Sequence, residues 1–166
     1  MGNFQPPNKG SINGYSFFAV KAELPSGKSV SKGYEKLIYV MPHLSGNNTF
    51  AQTERLNGFI HTCQKHNVSF AVTELPLAER EIDHSRKNAF ICPTDLYAIQ
   101  RLSTARRHKA GIIGFDNIRL IDDLHLTLDS VAYDIDQTAR ILSGYMIEHT
   151  EITSPVRHRI VKRGSI

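Results

Sequence analysis

The sequence predicts an α/β fold in which an open, mainly parallel sheet carries helices on both faces. Short apolar runs rich in β-branched and aromatic residues recur along the chain, as in strands that are buried on both faces. Segments with helical apolar spacing separate these runs, and the connections are short. Strands that alternate with helices in this way favour parallel pairing with right-handed crossovers.

Four apolar runs predict the central strands. Each contains β-branched or aromatic side chains, which suit a pleated, buried surface. They are residues 37–41, 68–72, 89–92 and 111–115. The alternating pattern of residues 156–161 predicts a further strand at the edge of the sheet.

Capping signals and apolar spacing predict the helices. Thr49 and Gln52 have the spacing of a capping box, and the helix that follows ends near Asn67. Residues 76–87 predict a short polar helical crossover. Thr94 is the expected N-cap of the next helix. The inward-facing residues predicted for that helix are Leu96, Ile99 and Leu102.

A last helix is predicted after Asp134, which forms a second possible capping box with Gln137. The residues that it is expected to bury are Ile135, Ala139, Leu142 and Met146. Before the regular pattern, residues 1–32 are rich in Gly, Pro, Ser and Asn, with one apolar patch at residues 15–20. We therefore expect a poorly defined arm at residues 1–32 and one α/β domain at residues 33–166.

The composition is that of an ordinary globular protein. The chain has 166 residues, of which 40% are hydrophobic and 22% charged, enough for one domain with a full core. It has no run of the ~18 apolar residues needed to span a bilayer and no signal-peptide layout. Cys63 and Cys92 are interpreted as free buried thiols. These features predict a cytoplasmic protein without membrane association.

Several functional classes find no support in the sequence. The eight histidines form no HxH or HExxH pattern, so no metal site is expected. The net charge of +4 comes mainly from basic clusters at residues 101–109 and 157–163, which are interpreted as solvated surface. No helix-turn-helix, zinc finger or RNA-binding aromatic platform is present. The GxSxG, GxGxxG and GxxxxGK[ST] motifs are also absent, so neither an enzyme nor a cofactor is predicted.

Polar loops are expected to meet at one edge of the sheet. Ligands of open parallel sheets bind beyond the carboxyl ends of the strands. Here those ends open into loops that carry hydroxyl, amide and carboxylate groups, which hydrogen-bond to polyols. The loops are those containing Ser45, Thr73 and Glu74, Thr94 and Asp95, and Asp116 and Asn117.

Asp95 and Asp116, which follow two of the predicted strands, admit more than one interpretation. Their carboxylates can recognise ligand hydroxyls, assisted by Arg55 from the first helix. Alternatively, Asp95 caps a helix, Asp116 forms a turn and Arg55 lies on the surface. A general acid/base pair is the third interpretation, but the sequence offers no nucleophile or cofactor site to accompany it.

Six short motifs in order resemble the C-terminal, effector-binding part of LacI/GalR-family transcription regulators. Residues 112–117, Ile-Ile-Gly-Phe-Asp-Asn, resemble the GFD[DN] strand end of that family. The other motifs are a GH[KR]xI-like segment at residues 33–40, an RxxGF-like helix at 54–59, a strand and aspartate at 89–99, an LTT-like crossover at 126–131 and an RGS-like ending at 160–165.

The resemblance implies a periplasmic-binding-protein-like type I (Rossmann-like) subdomain. It also implies an effector-sensing module that binds a small polar ligand, with a sugar favoured, and controls DNA binding through homodimerisation. By the same resemblance, Arg55 and Asp116 match the positions that hold the effector, and Asp95 matches the aspartate of the preceding strand end. Thr94 stands where the family usually has Asn, and Tyr133 lies near a crossover position that faces the ligand.

The sequence also departs from the family. The N-terminal helix-turn-helix, which alone would contact DNA, has no counterpart, and neither have the hinge and the N-terminal subdomain. A fragment of a regulator or a reduced relative is therefore expected. The apolar face of the helix predicted after Asp134 would pack on that subdomain, so it needs another partner, such as a second chain or residues 15–20. A stand-alone sugar-binding protein of the periplasmic-binding type is the alternative function, and a small α/β enzyme is less favoured.

Overall fold

One six-stranded sheet organises the described part of the chain. The computed structural model describes residues 33–42, 50–149 and 156–166. The strands are β1 (Lys36–Met41), β2 (Ser69–Glu74), β3 (Asn88–Ile91), β4 (Gly111–Phe115), β5 (Asp129–Tyr133) and β6 (His158–Val161). Their order is β2-β1-β3-β4-β5-β6, parallel throughout except for β6, which pairs antiparallel with β5. The predicted sheet and its edge strand are confirmed.

Helices connect these strands. Within the described residues they are α1 (Phe50–Lys65), a 3-10 helix (Leu75–Glu81), α2 (Asp95–Arg107), α3 (Leu120–Asp123) and α4 (Ile135–Glu148). None of them is long and apolar enough to cross a membrane. The predicted arm at residues 1–32 and the cap residue Thr49 lie outside the described residues.

The two faces of β1 pack against different helices, because successive side chains of a strand point to opposite sides. Ile38 and Val40 join the core cluster that contains Leu102 of α2. Tyr39 and Met41 point the other way, into a second cluster with residues of α1. The sheet is therefore covered by helices on both faces, as predicted, and its central strands are buried.

The two cysteines are buried and free, as predicted. Burial raises the pKa of both thiols, that of Cys63 to about 11. A thiol with such a pKa stays protonated at neutral pH and is a poor nucleophile. Both cysteines therefore serve the packing of the core.

Helix α2 turns Leu102 and Ile99 toward the core as predicted, but not Leu96. Leu96 is 54% exposed, whereas Ala98, Leu102 and Ala105 are buried. Ile99 is partly buried and packs against the same cluster. The prediction of an inward-facing Leu96 is therefore wrong. Small alanine side chains face the sheet instead, and they allow the helix to lie close to it.

Helix α4 begins as predicted but does not bury its apolar side. Asp134 caps it by accepting a hydrogen bond of 2.8 Å from the backbone N–H of Gln137, whose own side chain accepts from the N–H of Arg157. The residues expected to be buried are all exposed: Ile135, Ala139, Leu142 and Met146. That prediction is wrong for the described residues, since none of them covers this face.

Strand β5 is an element that the sequence analysis did not predict. It begins with Asp129 and Ser130, and such polar residues are uncommon at the start of a buried strand. Both are nevertheless buried. Both side chains are hydrogen-bonded to distant segments: the Ser130 hydroxyl donates to Asp95, and Oδ1 of Asp129 accepts from the N–H of Arg163, whereas Oδ2 of Asp129 has no hydrogen-bond partner among the described residues. A local pattern of apolar residues does not reveal these distant partners, and the strand was therefore not predicted.

The different environments of Leu102 and Leu142 predict a contrast in stability. Leu102 is 6% exposed and Leu142 is 53% exposed. Leu102→Ala should lower the free energy of unfolding by about 2–5 kcal/mol, the usual cost of emptying a core site. Leu142→Ala should change it by less than about 0.5 kcal/mol. Urea unfolding of both variants measures this, and an equal loss in both would show that α4 is covered in solution.

Candidate functional site

The carboxyl ends of β1 to β5 lie along one edge of the sheet. The chain runs from β1 to β2 on one side of the sheet and from β3 to β4 on the other, so the connections after the neighbouring strands β1 and β3 run in opposite directions. Such a reversal creates a crevice outside the carboxyl ends of the strands, where ligands of open α/β sheets bind. The loops that follow β3 and β4 lie at this edge. The first carries Pro93 and Thr94 and leads into α2 at Asp95, and the second begins with Asp116.

Arg55 reaches from α1 to the ends of β3 and β4. Its Nη1 donates a hydrogen bond of 2.7 Å to the carbonyl oxygen of Pro93. Its Nη2 lies 3.6 Å from Oδ1 of Asp116. The guanidinium carbon stands 3.7 Å above the centre of the Phe115 ring, a cation–π contact. With only 16% of its side chain exposed, Arg55 is fixed in place, which contradicts the alternative of a freely solvated surface arginine.

Asp116 combines a turn conformation with a partly open carboxylate. Its φ of 100° lies in a region that side chains other than glycine rarely adopt. The backbone N–H donates to the carbonyl of Val131 at 3.0 Å, which ties the turn to β5. The side chain remains 32% exposed. Burial raises the pKa of the carboxyl, and the nearby Arg55 opposes that rise.

Asp95 lies beneath the site. Its side chain is fully buried. Oδ1 accepts a hydrogen bond of 2.6 Å from the Ser130 hydroxyl, and Oδ2 accepts one of 2.8 Å from the backbone N–H of Ile118. A Cβ added at Gly114 would collide with this carboxylate. Asp95 therefore holds β5 and the loop after β4 in place through hydrogen bonds. Its carboxylate is not open to a ligand in this structure, contrary to the expectation that it contacts one.

Burial raises the pKa of Asp95, while the hydrogen bonds from Ser130 and Ile118 act in the opposite direction. The nearby Asp116 adds to the rise because two carboxylates disfavour each other's charge. Two carboxyl groups with raised pKa values thus lie at this edge. Only that of Asp116 is accessible.

The other predicted site residues are less closely connected. Thr94 takes the N-cap position of α2 with an extended backbone, but its side chain makes no capping hydrogen bond. Tyr133 ends β5 with a partly exposed side chain, and no contact between it and Arg55 is described. Ser45 lies outside the described residues. The structure therefore brings together Arg55 and Asp116. Thr94 is near them because Arg55 donates to the carbonyl of Pro93, the residue before it.

Phe115 and Pro93 are contributors that the sequence analysis missed. Phe115 is buried and supplies the ring beneath Arg55, and Pro93 supplies a carbonyl acceptor. Each directly precedes a predicted site residue, Thr94 or Asp116. A phenylalanine at a strand end is most simply interpreted as core, and only the three-dimensional arrangement shows its contact with a cation.

The arrangement suits recognition of a polar, uncharged molecule. A guanidinium offers donors and a carboxylate offers acceptors, and the two groups lie side by side and partly buried. Within the described ranges, no group of three or more His, Cys, Asp or Glu residues is placed to hold a metal ion.

A separate cavity of about 270 Å³ lies at the opposite, amino edge of the sheet, where Tyr34, Lys109 and Thr127 are among its lining residues. None of the predicted site residues lines it. The paired charges and the carboxyl ends of the strands are at the other edge, which makes that edge the candidate site.

The solved structures that this chain resembles include LacI-family transcription regulators. The sugar-binding LacI-family regulator from Escherichia coli complexed with phosphate is 19% identical with a TM-score of 0.60, and the match covers 92% of this chain and 60% of that one. CcpA of Lactococcus lactis is 21% identical with a TM-score of 0.59, covering 82% and 57%. A periplasmic binding protein/LacI regulator from Alkaliphilus metalliredigens complexed with D-xylulofuranose is 16% identical with a TM-score of 0.58, covering 81% and 58%.

The chain has the fold of the LacI-family regulators. No protein-family model matches the sequence, and no curated protein matches it. The chain spans less than two thirds of each of the three structures. The LacI-family fold and its periplasmic-binding-protein-like character, both expected from six short motifs, are thus confirmed.

The buried carboxyl of Asp95 predicts a dependence of stability on pH. Because burial raises its pKa, the folded protein holds this proton more tightly than the unfolded chain. The stability that this bound proton contributes is complete below the pKa that Asp95 has in the unfolded chain. It is lost as the pH rises through the higher pKa that Asp95 has in the folded protein. Asp95→Asn removes the ionisation and keeps an oxygen for Ile118. Its stability relative to wild type should therefore increase from acid to neutral pH.

Asp95→Ala is the matched variant. It leaves the Ser130 hydroxyl and the Ile118 N–H without acceptors and should cost about 1–3 kcal/mol for each unsatisfied group. Urea unfolding at several pH values measures all three proteins. A loss in Asp95→Asn as large as in Asp95→Ala, independent of pH, would contradict this account.

Proposed function

We propose that this chain is the effector-sensing module of a LacI/GalR-type transcription regulator and that its effector is a sugar. The observation that carries the proposal is the partly buried pair of Arg55 and Asp116 at the carboxyl edge. Its position agrees with the binding rule for open α/β sheets. The regulators of the same fold include one complexed with D-xylulofuranose and one described as sugar-binding.

A neutral polyol fits the charges of this site better than an anion does. Nη1 of Arg55 is already engaged by Pro93, while Nη2 has only a long contact of 3.6 Å with Asp116. The Asp116 carboxylate can accept hydrogen bonds from two adjacent hydroxyls, and Nη2 can donate to a third oxygen. A phosphate would meet the negative charge of Asp116 at the same place, and this repulsion opposes its binding.

Thr94, Tyr133 and Ser45 complete the proposed binding set. Thr94 offers a hydroxyl that is not used to cap α2. The partly exposed Tyr133 can cover an apolar face of a sugar ring. We assign Asp95 a supporting role, because its two oxygens are engaged by Ser130 and Ile118.

The regulatory step is part of the proposal. An effector changes an equilibrium only if it binds two arrangements of the protein with different affinity. We propose that the two arrangements belong to a homodimer and that DNA is contacted by a helix-turn-helix that is not in this sequence. In this proposal residues 33–166 form the sensing domain, and residues 1–32 are an arm or a remnant of an N-terminal subdomain. It involves no catalytic step and no cofactor.

The first test is thermal unfolding of the chain in the presence of individual sugars and phosphosugars. A sugar at 100 times its dissociation constant should add about 2.7 kcal/mol to the free energy of unfolding. A phosphosugar should be weaker than its parent sugar if Asp116 faces the ligand. A cooperative transition that no sugar shifts would contradict the proposal.

Asp116→Gly tests the residue assignment. Glycine tolerates a φ of 100°, so the variant removes the carboxylate without adding backbone strain. We expect it to fold and to lose sugar binding. Asp123→Ala is the control, because Asp123 is an exposed carboxylate on α3. Unchanged affinity in Asp116→Gly would overturn the assignment, whereas unfolding would show that this carboxylate stabilises the fold.

A further inference from the structure

The side chain of Arg163 links the end of the described chain to the loop that follows β4. Its Nη2 donates to Oδ1 of Asn117 at 2.9 Å and to Oδ1 of Asp122 at 2.8 Å, and its Nε also donates to Asp122 at 3.0 Å. Its Nη1 donates to the carbonyl of Leu128 at 3.3 Å. Only 16% of the side chain is exposed. A guanidinium with this many acceptors has a fixed orientation.

The backbone around Arg163 is anchored independently. The N–H groups of Arg163, Gly164 and Ser165 all donate to Oδ1 of Asp129, at 2.5, 2.6 and 3.1 Å. The Ser165 hydroxyl donates to the carbonyl of Ile112, and Gly164 has a φ of 96°. The segment therefore wraps around a buried carboxylate at the start of β5, and the Arg163 side chain extends from a rigid base.

The loop that Arg163 contacts is strained. Asp116 and Asn117 are consecutive residues with φ values of 100° and 51°. The φ of Asp116 is unfavourable for side chains other than glycine, whereas that of Asn117 lies in the left-handed region, which asparagine adopts more readily than most residues. Such conformations persist only where surrounding contacts hold them. The N–H of Asn117 donates to the Ser130 hydroxyl at 3.0 Å. The Asn117 amide oxygen accepts from Arg163, so Arg163 supplies the side-chain contact that holds the second residue of the pair.

We propose that Arg163 is a positioning residue for the effector site, which acts through Asn117 to hold Asp116 facing Arg55. This inference rests on the proposed function. Arg163 acts on Asp116 through Asn117, which it contacts and which follows Asp116 directly in the chain. Loss of the Arg163–Asn117 hydrogen bond frees Asn117, so that the strained backbone of Asp116 can relax and its carboxylate moves away from Arg55.

The test compares Arg163→Ala and Arg163→Lys with Arg159→Ala, which removes an exposed arginine from β6. Sugar affinity is measured by calorimetry with the sugar that stabilises wild type most. Lysine keeps the charge but cannot reproduce the branched contacts of Arg163. We expect both Arg163 variants to bind about tenfold or more weakly, as misplacement of a hydrogen-bonding group implies. Arg159→Ala should bind like wild type.

A double-mutant cycle separates positioning from general stability. Asn117→Gly removes the amide that Arg163 contacts and tolerates the positive φ. In this background, Arg163→Ala should lower sugar affinity by less than about twofold if the two residues act together. An equal loss of affinity in both backgrounds, or none in either, would overturn the inference.

Hydrogen exchange provides a readout without ligand. The N–H groups of Asp116 and Asn117 donate to Val131 and Ser130. Arg163→Ala should accelerate the exchange of both by about tenfold or more relative to core amides, and Arg159→Ala should not. If wild type binds no sugar, the proposed function fails, and exchange alone then decides whether Arg163 positions the loop. Unchanged exchange would overturn the inference.

Discussion

The geometry of the carboxyl edge depends on one buried carboxylate. Asp95 begins α2, and its two oxygens accept hydrogen bonds from β5 and from the loop after β4. Strand β4 must carry glycine at position 114, because a side chain there would collide with Asp95. One side chain thus fixes the spacing of a helix, two strands and a loop. The charge that makes these hydrogen bonds strong is also costly to bury, which is why the pKa of Asp95 is raised.

A partly buried ion pair, Arg55 and Asp116, lies above Asp95 at this edge. Arg55 gains three partners at once, a carbonyl, a ring face and a carboxylate, so its position is set before any ligand arrives. Asp116 keeps a third of its side chain open and is held in a strained turn. Such preorganisation lowers the entropic cost of binding. Strain near a binding group is tolerated here because Arg163, Ser130 and Val131 hold the surrounding backbone.

The sequence was sufficient for the central sheet because four apolar runs form its buried strands. A resemblance in short motifs also pointed to Arg55 and Asp116, which the structure brings together, and their role in ligand binding stays a prediction. Sequence-based prediction failed at Leu96 and along α4, since apolar spacing shows which residues can be buried but not what covers them. Strand β5 was missed because Asp129 and Ser130 are paired with residues distant in the sequence. For the same reason, no local pattern reveals that Phe115 supports Arg55.

The central claim is that a sugar binds at the carboxyl edge between Arg55 and Asp116. The most direct measurement is a two-dimensional NMR titration of the chain with the sugar that stabilises it most. The account predicts the largest shifts at the amides of Asp116 and Asn117, at Thr94 and at the side-chain Nε of Arg55. Shifts centred on Lys109 and Thr127, around the cavity at the amino edge, would contradict it.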